Sequence, residues 1–470
     1  MPKDREKTLA AAAIDLGTTR FKIGCVDTSG RLFGIGAMAA PELSGAGLVR
    51  EIDAAVYADR VERLLREYPR ELHDVPLGLV CQRSTFLVWD RNTGRALTPV
   101  VSWQDRRAAD WCEQHRDADD VVVRRTGLLL SPHYAGPKLA AMIGDDKRLA
   151  AALAAGDALF GNLDAWLTWR WTDGAAHRSD LTMAARTAMV DIARGDWCDE
   201  LLDLYGVPRS ALPDIVATDA PPLPLTNGML LCASVADQAA GALAVLDLDR
   251  DSALVNLGTG GFVLHPVDDP KLRIPGYLTA PVLATRENLV KCVVEGTING
   301  AGPAVDTFGR GRTTWPADDP SPEGFAIPDL DGIGAPHWRP EFGLTLSGAA
   351  ERLDTQADKR RVVIESLLFR VREILRDVGS GRVPERVYVS GGLARAPSVA
   401  TGLASLLGRP VELLEQSEST LLGTGRLALG VSPFATPATK RIEPTPDAAY
   451  LREKFVRWTD WLHGVLAASE

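Results

Sequence analysis

The stretch Ala13-Ile14-Asp15-Leu16-Gly17-Thr18-Thr19-Arg20-Phe21-Lys22-Ile23 returns in altered form as Val255-Asn256-Leu257-Gly258-Thr259-Gly260-Gly261-Phe262-Val263-Leu264. Leu16, Gly17, Thr18 and Phe21 recur as Leu257, Gly258, Thr259 and Phe262. Each copy reads as an apolar strand, a tight turn on glycine, and a second strand. Glycine lets backbone approach a ligand, and threonine sets a hydroxyl beside the turn's N–H groups, so such a turn can cradle a phosphate. A plain edge hairpin needs the same glycine. Two copies, one opening each half of the chain, point instead to a duplicated domain with an anionic ligand between facing hairpins.

A chain of 470 residues is too long for one ordinary core and calls for two domains. We set the boundary near Val245, giving 1–245 and 246–470, with a charged crossing from Leu248 to Ser252. The net charge of −10 speaks against a nucleic-acid surface, which needs clustered positive charge. No apolar run approaches a membrane span, and the charged start (Met1 to Lys7) lacks the core of a signal peptide, so a cytoplasmic protein is expected. The six cysteines are scattered without a C-x-x-C pair, which reads as reduced thiols rather than disulfides or zinc ligands. Neither a Walker A sequence, H-E-x-x-H nor G-x-S-x-G occurs.

Along the first half, Tyr57 to Leu72 has helical spacing, and Pro76 to Cys81 is a short buried strand delivering Gln82-Arg83-Ser84-Thr85. Phe86 to Asp90 and Leu97 to Trp103 read as strands, the second ending at Trp103-Gln104-Asp105-Arg106-Arg107, with a helix on to His115. Ser131 to Ile143 opens a further helix, and Trp166, Trp169 and Trp171 read as packing. Leu230 to Ala236 is a small-residue strand that ends at Asp237-Gln238, before a helix from Ala239 to Leu246. Strand ends of open α/β sheets are where ligands bind. In the second half, Glu295 to Gly302 is a glycine-rich approach to a helix, and Arg310 to Gly324 is a polar loop. Asp358 to Val378 is a long amphipathic helix. Val387 to Val389 is a strand entering Ser390-Gly391-Gly392, and a helix follows Pro397. Leu422 to Gly425 begins a small-residue helix, and Pro444 to Leu466 reads as a closing helix.

Taken in order, the first hairpin, Gln82-Arg83, Trp103 to Arg107, Asp237-Gln238, the second hairpin and Gly391-Gly392 resemble the FGGY family of carbohydrate kinases. Gly161 to Thr187 and Gly334-Ala335-Pro336-His337-Trp338 bring the likeness closest to its glycerol kinase branch. The resemblance implies an α/β chain of two ribonuclease-H-like domains, of the actin and sugar kinase superfamily, with ATP in the cleft between them. It implies ATP-dependent phosphorylation of a hydroxyl on a small sugar or polyol, with Mg²⁺.

Under that resemblance Asp237 is the catalytic base, although alone it reads equally as a helix cap. Asp15 matches the magnesium-linked aspartate, and Asp237 is grouped with it at the metal. Thr18, Thr19 and Lys22 match the first phosphate loop, Gly258 and Thr259 the second, Gly302 a glycine near the nucleotide, and Gly391-Gly392 the adenine-binding turn. On the sugar side stand Gln82, Arg83, Trp103, Asp237, Gln238 and Phe262, joined by Ser84, Asp105 and His133. Three of these positions bear on specificity. Glycerol kinases carry glutamate where this chain has Ser84 and tyrosine where it has His133, while Asp105 looks like an aspartate of the pentulose kinases. Ala141 also stands where the first family signature has an aromatic residue, and Arg395-Ala396-Pro397 replaces an asparagine-rich segment. The alternatives are a glycerol kinase with an altered pocket and a catalytically weak sugar or nucleotide sensor. A small-molecule partner is expected, with no nucleic acid and no membrane, and a homodimer is left open.

Overall fold

The computed structural model describes residues 9–68, 72, 75–246, 248, 251–287, 289–309, 322–416, 418–430, 438–445 and 449–468. Most of the polar loop expected over 310–324, parts of the 248–252 crossing and the start of the expected closing helix lie outside these residues.

The first half is built on strands β1 (Leu9–Leu16), β2 (Arg20–Asp27), β3 (Leu32–Ala39), β4 (Pro76–Cys81), β5 (Leu223–Pro224) and β6 (Leu230–Ala236). They form one sheet in the order β5-β6-β4-β1-β2-β3. The second half holds β7 (Ser252–Leu257), β8 (Gly261–Val267), β9 (Leu278–Ala284), β10 (Val290–Ile298), β11 (Arg386–Ser390), β12 (Val411–Leu414) and β13 (Thr439–Ile442), ordered β9-β10-β8-β7-β11-β12-β13. The two sheets share a plan. In each, an antiparallel hairpin (β1–β2, β7–β8) is extended by a further antiparallel strand on one side and by two parallel strands on the other. The duplication read from two short motifs is therefore a duplication of topology.

Helices α1 (Ala54–Glu67), α2 (Asp237–Leu243), α3 (Gln356–Val378), α4 (Pro397–Leu407), α5 (Ser419–Leu429) and α6 (Ala449–Ala467) matter most here. The Asp53 carboxylate caps α1 by accepting from Val56 N, and the helix buries Tyr57, Ala58, Val61, Leu64 and Leu65 on one stripe. This helix starts three residues before the sequence spacing indicated. The strand expected over Leu97–Trp103 shrinks to Val100–Val101, which joins Glu51–Ile52, Phe86–Asp90 and Ala158–Asn162 in a separate small sheet. Trp166 and Trp171 are core residues, as their spacing suggested.

Helix α5 belongs to the second half of the sequence yet packs on the first sheet. Small residues make this possible. A Cβ on Gly425 would stand 2.3 Å from Val26 Cγ2, and one on Gly78 would stand 2.5 Å from Thr424 Cγ2. Helix α5 also crosses α2 closely, with Gly423 pressed against the Ala240 carbonyl. Among the described residues no helix is long and apolar enough to cross a membrane.

Candidate active site

Parallel register gathers the site. Leu16 of β1 pairs with Cys81 of β4, and Cys81 pairs with Ala236 of β6, so three strands end abreast. The next residues are Gly17-Thr18, Gln82-Arg83 and Asp237-Gln238. In the second sheet Asn256 pairs with Ser390, and Gly258-Thr259 and Gly391-Gly392 leave that edge together.

Asp237 is the first residue of α2, which begins two residues earlier than the expected start at Ala239. Its Oδ1 accepts from Gln238 N at 2.8 Å and lies 3.5 Å from Arg83 Nε. Burial raises the carboxyl above the ordinary range, while Arg83 and the Gln238 N–H pull it back. Arg83 spends its other edge on Glu295, with Nη1 at 2.9 Å and Nη2 at 3.4 Å. Arg186 reaches the same carboxylate at 3.5 Å and lies over the Tyr134 ring. Burial alone would raise Glu295, but the two guanidinium groups hold it down at about 2.

Asp15 is the penultimate residue of β1 and is buried, with Oδ2 accepting from Thr420 Oγ1 at 2.8 Å. Burial lifts its carboxyl to about 6 against that hydrogen bond, and Asp237 adds to the rise. Lys22 lies opposite Asp15 in the hairpin and donates to Glu418 Oε2 at 2.6 Å. The Thr18 hydroxyl donates to Gln82 Oε1 and accepts from Trp103 Nε1, each at 2.8 Å, so the first turn is tied to Gln82 and Trp103. Thr19 is exposed beside it. Across the cleft, a Cβ on Gly258 would meet nothing within 4 Å, and Thr259 is exposed. Gly391 has φ +97° and would drive a Cβ to 2.2 Å from Leu257 O, whereas Gly392 faces open space.

The chain's two halves match the two models of one family: the FGGY carbohydrate kinase N-terminal domain over residues 10–222 and the C-terminal domain over 253–429. The chain belongs to the FGGY family of carbohydrate kinases. Glycerol kinase of Rhizobium rhizogenes is 32% identical over 429 residues, covering 83% of this chain and 85% of that one. Glycerol kinase of Bordetella parapertussis is 32% identical over 455 residues, covering 88% and 87%. Among solved structures, Plasmodium falciparum glycerol kinase with ADP superposes at TM-score 0.83 with 19% identity, over 97% of this chain and 98% of that chain. Xylulose kinase from Rhodospirillum rubrum gives TM-score 0.84 with 19% identity, over 97% and 99%. This FGGY kinase is thus an ATP-dependent phosphotransferase acting on a hydroxyl of a small sugar or polyol.

Within the kinase, the residues expected on the sugar side divide. Arg83, Trp103, His133, Gln238 and Asp237 border the open end of the strands; Trp103 and His133 rings lie 5.6 Å apart, and Phe262 is half-buried on β8. Burial, followed by the charges of Lys138, Arg186, Arg106 and Arg83, pushes His133 well below its ordinary value, so it is neutral at pH 7. Ser84 and Asp105 are turned to other work. Ser84, at φ +60°, is fully buried and donates its hydroxyl to Arg186 O at 3.1 Å. Asp105 is fully buried, with its oxygens taken by Arg50 N and by the Arg107 guanidinium, and so holds the loop that carries Trp103. Gly302 also has a packing role, since a Cβ there would lie 2.5 Å from Gly258 O, and its N–H donates to Thr259 O.

Sequence reasoning missed Glu295, Arg186, Glu418 and Thr420 as members of the site. For Glu295 a signal existed: it is one carboxylate in the largely apolar strand Val290–Ile298, where an unpaired charge would be prohibitive.

Proposed function

We propose that this kinase uses Asp237 as general base on a small polyol or sugar, with Mg·ATP as phosphoryl donor, in the cleft between 1–245 and 246–470. The carrying observation is Asp237 at a strand end beside Arg83, with only a 3.5 Å contact to it. A carboxylate so placed accepts the proton of a substrate hydroxyl as its oxygen attacks the γ-phosphorus. Arg83 and Gln238 supply hydrogen bonds to further hydroxyls, and Trp103, His133 and Phe262 flank the carbon chain.

The two phosphate turns face the nucleotide from opposite halves, with Lys22 as the cation of the first. Asp15 and Asp237 offer hard oxygen donors suited to Mg²⁺, which keeps much of its water and leans on substrate phosphates. Among the described residues no group of three or more His, Cys, Asp or Glu side chains is placed to hold a metal ion. When bound, the ion neutralises developing phosphate charge.

A coupled ADP-release assay with Mg·ATP against glycerol, erythritol, pentitols, pentuloses, hexoses and gluconate tests the reading. Turnover of one member is expected, and glycerol would make the chain a glycerol kinase with an altered pocket. Silence across the panel, with ATP still bound, would favour the sensor.

A further inference from the structure

Glu295 sits in β10 at 1% exposure. Both of its counter-charges come from the other half of the chain: Arg83 at 2.9 and 3.4 Å, and Arg186 at 3.5 Å. Arg83 has a second carboxylate in reach, Asp237, 3.5 Å from its Nε. Two carboxylates thus compete for one guanidinium. The terminal nitrogens of arginine make the forked pair, and here that fork is spent on Glu295. Asp237 is left facing Nε at a distance beyond a good hydrogen bond. Apart from the Gln238 N–H on Oδ1, its oxygens are therefore left to accept from a substrate hydroxyl. Arg186 completes the arrangement, because its buried Nε has no hydrogen-bond partner and its ionic contact is with Glu295.

Resting on the reading of Asp237 as base, we propose that Glu295 is a positioning residue that draws Arg83 away from Asp237 and keeps the base available. Because Glu295 belongs to the second half and Arg83 and Asp237 to the first, the freedom of the base depends on how the halves are seated. Substrate-side chemistry is thereby linked to the second half through one carboxylate.

Glu295→Gln keeps the shape of the side chain and removes its charge. In a crystal structure of that variant the Arg83 fork is expected on Asp237. Turnover should drop about tenfold or more, while KM for Mg·ATP stays within about twofold. Arg83 found unmoved, or kcat close to wild type, overturns the proposal. Removing one buried charge can also unfold a protein, so the double variant E295Q/R186Q, which removes one charge of each sign, carries the same expectation and the same overturning result. The crystallographic readout does not depend on the role of Asp237. Loss of the base reading, seen as Asp237→Asn retaining turnover, is therefore distinct from loss of this one, seen as Arg83 staying on residue 295.

Discussion

Asp237 combines three features that singly mean little: it opens a short helix, it is half-buried, and its contact with arginine is long. A helix N-terminus favours a carboxylate there whatever its task. The long contact is what separates a base from a structural ion pair, because a forked pair would occupy the oxygens that must accept a proton. Asp237→Asn keeps size and helix position but cannot take that proton. We expect kcat to fall by about 10²- to 10⁴-fold, with substrate affinity, followed by calorimetry, little changed. A variant turning over at the wild-type rate would remove Asp237 from the base role. Ser84 and Asp105 show the converse at the same scale. Both stand in segments rich in site residues, yet both have their polar atoms engaged by neighbouring protein groups.

At the scale of elements, what could be read from the sequence was local. Apolar runs closed by glycine or by a polar pair gave the two hairpins and the strand ends at Gln82 and Asp237, since strand, turn and exit are written within ten residues or so of one another. Contacts between distant elements left little trace. Glu295 meets Arg83 across 212 positions, Glu418 meets Lys22 across 396, and Thr420 meets Asp15 across 405. All three depend on which strand end faces which helix, and no periodicity encodes that. Helix α5 was legible as a small-residue helix suited to a close crossing, but not as a cover for the first sheet. Its seat makes a prediction. A side chain at Gly423 would enter the space of the Ala240 carbonyl, 2.2 Å from the Cβ position. Gly423→Val should force α5 and α2 apart and cost about 1–3 kcal/mol or more, measured as a lower urea midpoint. Thr420 rides on the first turn of α5, so KM for Mg·ATP should rise in the same variant. A loss of stability with unchanged nucleotide kinetics would separate the crossing from the Asp15 contact.

For the whole molecule, the duplicated topology gives each half a hairpin turn of its own, and under the proposed function the polyol and adenine residues lie mainly on different halves. The proposed function expects the halves to close over both ligands, since closing lids and domains exclude water from a reaction. The halves touch at many points, among them the α2–α5 crossing, the Lys22–Glu418 pair and the Arg83–Glu295 pair. A compact chain of this length has a radius of gyration of about 23 Å, and small-angle scattering resolves a change in it on closure. Addition of a non-hydrolysable ATP analogue together with the panel member that the enzyme phosphorylates should shrink that radius more than either ligand alone, because only the two together fill the cleft. An unchanged radius with both present would sink the closing-cleft model and leave a rigid site, in which Glu295 could hold Arg83 but could not couple it to movement.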